Sequence, residues 1–163
     1  MRILEERGSE ASRRRWREIG LTLIELLLVI ALISILAALG IPSLLQVFER
    51  VRIERAITDL KVIEFEVRRY EDIYERLPED LIEADSRPRL DPWGHPYVYF
   101  KYGGPGWRGQ ARKDRNLVPI NSSFDLYSVG RDGESRPPLQ NPKSLDDVVR
   151  ANDGAFYGLG RDF

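Results

Sequence analysis

The sequence predicts an α+β protein: one long N-terminal helix, membrane-spanning in its first half and amphipathic in its second, packed on a small antiparallel β-sheet with a loop-rich C-terminus. Three observations carry this reading. From Leu21 to Leu45 the chain is apolar almost without a break, matching the roughly 20 residues that cross a bilayer as a helix. Beyond it, Ile53, Ala56, Ile57, Leu60, Ile63, Val67, Tyr70 and Tyr74 recur at intervals of three or four, with charged residues between them. After Leu77-Pro78 the pattern changes to short aromatic and β-branched runs punctuated by glycine and proline.

The first twenty residues mix Arg13, Arg14, Arg15 and Arg17 with Glu5, Glu6, Glu10 and Glu18, and have no apolar face long enough to fold. They read as a processing segment whose positive charge holds that end in the cytoplasm. A secretory signal is cut after its apolar core, but here the small residue, Gly20, stands before it. A cut after Gly20 leaves the hydrophobic helix on the mature chain, with Glu25 as its fifth residue. An acid within hydrocarbon costs a few kcal/mol, so it needs a partner. The nearest candidate is a free α-amino group at Leu21.

Removing twenty residues from 163 leaves 143, enough for the helix and one small domain. The 25 basic and 26 acidic residues give a net charge of −1, and nucleic acid is not an evident partner. There is no cysteine, so no disulfide braces the domain, and a domain this small often relies on another staple such as a metal or an oligomer.

The expected boundaries are a leader over 1–20, the membrane half of the helix over 21–45, its amphipathic half over 46–77, and a C-terminal β-domain over 78–163. Running from Leu21 to about Arg76, the helix has 56 residues and a length of roughly 84 Å, so its first half should project from so small a domain. Pro42, eased by Gly40, should kink or loosen it, and Leu77-Pro78 should end it. Glu79–Leu90 is expected to be a polar connection with one helical turn near Leu81 and Ile82. Asp91-Pro92-Trp93-Gly94 reads as a β-turn. Strands are expected at Tyr97–Tyr102 and Phe124–Val129, with a short one at Leu117–Ile120. Gly130-Arg131-Asp132-Gly133 turns the chain, and Ser144–Arg150 is assigned a short helix in an otherwise loop-rich remainder.

Gly20, Leu21-Thr22-Leu23-Ile24-Glu25, the apolar run and Pro42 resemble the class III prepilin signal of type IV pilins and type II secretion pseudopilins. Tyr74-Glu75-Arg76-Leu77-Pro78, Asp91-Pro92-Trp93-Gly94-His95-Pro96-Tyr97 and Phe124-Asp125-Leu126-Tyr127-Ser128-Val129-Gly130-Arg131-Asp132-Gly133 follow in the order of the type II secretion major pseudopilins. The resemblance implies a type IV pilin-like fold and cleavage between Gly20 and Leu21 by prepilin peptidase, with methylation of the new amine. It also implies that Glu25 neutralises a neighbouring subunit's N-terminal amine during assembly, and that the helix can unwind near Pro42. Its implied partners are further copies of the chain, minor pseudopilins and the inner-membrane assembly platform. The implied location is the inner membrane, single-pass, with the C-terminal domain periplasmic. Two departures stand out: the family usually has phenylalanine where Leu21 stands, and the 103–123 segment is longer than the family's usual connection.

The resemblance further implies a calcium ion in the loop after the last strand. Calcium takes six to eight oxygens, and Ser128, Asp132, Asp146, Asp147 and Asp153 offer that chemistry. The alternative is that Asp132-Gly133 is an ordinary turn and Asp146-Asp147 an acid pair at a helix N-terminus. His95, the single histidine, is expected in a turn, and Trp93 against the helix. No glycine-rich phosphate loop and no convergent catalytic set is present, so the expected role is structural, not enzymatic. A type IV pilin for adhesion, motility or DNA uptake, and a membrane-anchored module that never polymerises, are the alternatives. Type IV pilins usually carry a C-terminal cysteine pair, which this chain lacks.

Overall fold

A computed structural model describes residues 22–85 and 89–163. The expected cleavage position, Gly20 and Leu21, lies outside them, as do residues 86–88 of the 79–90 connection. The chain divides into two units, 1–42 and 43–163.

Helix α1 (Leu23–Tyr74) begins where Thr22 accepts two hydrogen bonds, from Glu25 N to its Oγ1 at 3.2 Å and from Leu26 N to its carbonyl at 3.1 Å. A threonine cap followed by a glutamate three residues on is a helix-start signal, and it fixes Glu25 in the first turn. The helix continues through Gly40 and Pro42 and ends two residues before the expected stop. In the second unit its core face is Ala56, Leu60, Ile63, Val67 and Tyr70. The first four pack against Tyr97, Phe124, Leu126, Val148 and Leu159, and full burial of a side chain such as Leu60 stabilises by about 1.5–3 kcal/mol.

Short helix α2 (Leu81–Asp85) follows, starting at the expected turn. The sheet is an antiparallel meander of four strands in chain order: β1 (Val98–Lys101), β2 (Phe124–Ser128), β3 (Val148–Ala151) and β4 (Phe156–Leu159). Lys101 pairs with Phe124, Ser128 with Val148, and Ala151 with Phe156. Along β2, Phe124 and Leu126 face α1, while the opposite side of the sheet carries a second cluster of Ile120, Leu139, Val149 and Ala151.

Three local expectations are corrected. Ser144–Arg150 is not a helix: Pro142–Ser144 is one 3-10 turn, and Val148 and Val149 enter β3. Their branched side chains pack into the two hydrophobic clusters on opposite faces, and that burial outweighs the helix-start signal of Asp146-Asp147. The C-terminal remainder is likewise less loop-rich than expected, because β4 closes the sheet. Leu117–Ile120 forms no strand; after an isolated bridge at Leu117 the chain turns through the cis Val118-Pro119 peptide, and Ile120 reaches the second cluster.

Candidate functional site

Two regions carry candidate functional residues. In the first unit, an 18-residue stretch of α1 has a mean hydropathy of 2.8, apolar and long enough to cross a membrane. Its large side chains are exposed, from Leu23 at 79% to Leu39 at 74%, so none is spent on an internal core. Glu25 sits at the start of this surface, where the helix dipole favours a negative charge. Burying that charge in hydrocarbon would still cost about 2.5–3.5 kcal/mol on insertion scales, which keeps a cationic partner in demand.

The second region lies where the β2–β3 connection meets the 103–123 segment. Asp125, buried on β2, gathers that segment: its carboxylate accepts from Tyr102 Oη at 2.6 Å, Arg112 N at 2.7 Å and Asn121 Nδ2 at 2.9 Å. Held this way, Arg112 is only 2% exposed. Its Nη1 donates to Ser135 Oγ at 2.5 Å and Arg136 O at 2.8 Å, and its Nη2 to Asp147 Oδ2 at 2.5 Å. Its guanidinium stacks 4.3 Å from the Tyr127 ring. Burial pushes the Asp147 carboxyl up, against the pull of Arg112 and Ser135.

The five residues expected to hold calcium are distributed among different partners. Ser128 Oγ donates to Asp91 Oδ2 at 2.5 Å and accepts from Gly130 N at 3.1 Å. Asp91 also accepts from Trp93 N and His95 N, and His95 Nδ1 lies 3.1 Å from Gly130 O, so this group ties the expected 91–94 turn to the end of β2. Asp146 Oδ2 accepts from Arg131 N at 2.8 Å and Asp132 N at 3.1 Å, and Asp132 Oδ1 accepts from Glu134 N. The structure therefore brings Asp132 and Asp146 together in one turn. Asp147 lies on Arg112 instead. Asp153 accepts from Ser122 N at 2.8 Å; burial opposes its ionisation, but the Ser122 hydrogen bonds and the Arg150 charge outweigh it and lower its pKa. Among the described residues no three acidic or histidine side chains are grouped to hold a metal, so the five do not fit a calcium ion as a set.

A second buried arginine had no sequence signal beyond its charge. Arg150 on β3 is fully covered, with Nε 2.8 Å from Glu64 Oε2 of α1 but without hydrogen-bond alignment, and Nη2 has no hydrogen-bond partner. Its guanidinium lies 4.4 Å from the Phe124 ring, and Glu64 also accepts from Tyr157 Oη. Trp93 packs beside the helix as expected, and Trp107 stacks on Tyr102 at 4.5 Å.

No family model and no solved structure matches the chain. Curated proteins do. The chain is 29% identical over 136 residues to the type II secretion system core protein G of Escherichia coli K12, covering 71% of this chain and 83% of that protein. It is 28% identical over 142 residues to the protein of the same name from Pseudomonas aeruginosa, covering 74% and 89%. Against that of Klebsiella pneumoniae it is 27% identical over 153 residues, covering 81% and 93%. The resemblance read from the N-terminal signal and the C-terminal motifs is thereby borne out: across most of its length the chain is similar to type II secretion system core protein G.

Proposed function

We propose that the chain is a structural subunit of a type II secretion pseudopilus. Prepilin peptidase cuts between Gly20 and Leu21 and the new amine is methylated. The chain waits in the inner membrane as a single-pass protein with its C-terminal domain in the periplasm. Assembly with further copies and with minor pseudopilins, on the inner-membrane platform, draws the helix from lipid into a bundle of like helices. That exchange moves apolar side chains between two apolar surroundings and is nearly neutral by itself. Glu25 supplies direction, because it gains the α-amino group of a neighbouring Leu21. Growth of the filament then drives protein export.

The observation that supports this reading is the exposed apolar surface of α1 with one acid in its first turn. Intact mass and N-terminal mapping of the protein from its native membrane should give a chain starting at methylated Leu21. Glu25→Ala should abolish most filament yield while leaving the melting temperature of the C-terminal unit unchanged. Normal filament yield from that variant would sink the neutralisation step, and a chain retaining residues 1–20 in cells with active peptidase would remove the polymer itself.

A further inference from the structure

We infer that Arg112 is a built-in cation that holds the 131–147 loop, taking the role that a divalent ion would otherwise fill. The loop between β2 and β3 is long and carries only one 3-10 turn, so something must order it. The structure brings that brace from the 103–123 segment, the stretch whose length departs from the resemblance. Its Arg112 enters the loop and binds a hydroxyl, a backbone carbonyl and a carboxylate, from Ser135, Arg136 and Asp147. Those are the oxygen types a calcium ion would collect from the same loop, and a planar guanidinium takes them as hydrogen-bond acceptors.

Three further observations fix the assignment. The backbone around Arg112 is pinned, with its N–H on Asp125 and its carbonyl accepting from Ile120 N at 3.1 Å, so the side chain starts from a fixed point beside the loop. The two strands of loop are stitched beside it by Lys113 N to Pro137 O and Leu139 N to Lys113 O, both at 3.0 Å. Ser135 Oγ also donates to Asp147 Oδ2 at 2.6 Å, so two donors from different segments converge on that one oxygen while Oδ1 is buried without a hydrogen-bond partner. A divalent ion taking Asp147 Oδ2 would have to expel a buried guanidinium and leave it unpaired, which is costly at 2% exposure. Asp147 is therefore braced by Arg112, and the loop needs no metal at that oxygen.

The test is thermal unfolding of the full chain in detergent, after chelator treatment and again with millimolar calcium. The wild type should melt at the same temperature in both. Asp147→Asn should lose roughly 10 °C or more, and by the same amount with and without calcium, because it leaves Arg112 buried and unpaired. Arg112→Lys, which keeps the charge but not the fork, should fall between the two. A calcium-dependent rise of more than about 4 °C in the wild type overturns the inference, since an ion bound only by the folded state must raise the melting temperature. An Asp147→Asn loss seen only with calcium also overturns it. If Asp147→Asn does not fold, the wild-type comparison and Arg112→Lys still decide. Filament yield does not enter, so this inference and the pseudopilus reading fail separately.

Discussion

The Glu64–Arg150 pair should respond very unequally to the loss of its two members. Arg150 is fully buried, whereas the Glu64 side chain keeps 12% exposure. Replacing Glu64 by alanine leaves the guanidinium with Phe124 O at 3.3 Å and Asp153 Oδ1 at 3.7 Å, and nothing on its Nε. Removing one partner of a buried pair costs about 3–5 kcal/mol, and the poor alignment of what remains puts Glu64→Ala in that range. Replacing Arg150 by methionine leaves a carboxylate that keeps the Tyr157 hydroxyl, lies 3.8 Å from Arg68 Nε and still touches water. With the volume largely filled, about 1 kcal/mol is expected. The double variant Glu64→Leu/Arg150→Met, which removes both charges, should sit close to the wild type. Urea titration of the full chain in detergent, followed by tryptophan fluorescence, reads these differences. With a slope of about 2 kcal/mol per molar, Glu64→Ala moves the midpoint by roughly 2 M and Arg150→Met by roughly 0.5 M. An Arg150→Met loss equal to or greater than that of Glu64→Ala would refute the argument from asymmetric burial.

Three further outcomes follow from other parts of the structure. A Cβ at Gly130 would lie 2.4 Å from Asp146 O and 2.7 Å from Asp146 C, at a φ of +67°, so Gly130→Ala should cost more than about 2 kcal/mol. At Gly133, with a φ of +71°, the nearest atoms a Cβ would meet belong to the His95 side chain and not to backbone, so Gly133→Ala should cost less, about 1 kcal/mol in the same titration, and equal losses would count against the backbone contact. Glu83 is held at a pKa of about 2, against an ordinary 4.5, by hydrogen bonds from Arg76, Tyr70 and Glu79 N. A depressed acid stabilises the fold above its unfolded pKa. The melting-temperature gap between wild type and Glu83→Gln should therefore be constant above about pH 4.5 and close as pH falls toward 2, and a gap that persists at pH 2 would contradict this.

The sequence was most informative where one physical term dominates over a long stretch. A long, nearly continuous apolar run followed by a 3.6-residue period leaves no alternative to α1, and Ala56, Leu60, Ile63 and Val67 occupy the core face that the period assigns. Strands β1 and β2 were legible because aromatic and β-branched residues are bounded by turn residues. Strand β3 was not. It is buried on both faces, so Val148-Val149-Arg150-Ala151 shows no alternation, and the preceding Asp146-Asp147 imitates a helix start. The Thr22–Glu25 cap could have been read from its spacing, since a threonine three residues before a glutamate is a local signal.

The loop site divides in the same way. Local sequence determined that Gly130 to Gly133 turns, because those backbone angles need glycine and the residues involved are neighbours. It also determined that carboxylates are plentiful in the loop that follows. Which cation each carboxylate meets was decided only by the tertiary structure. Arg112 and Asp147 are 35 residues apart, and Glu64 and Arg150 come from a helix and a strand at opposite ends of the second unit's sequence. Charge pairing in a folded core depends on distance and burial, not on chain order, so no motif could have foretold that Asp147 would meet Arg112.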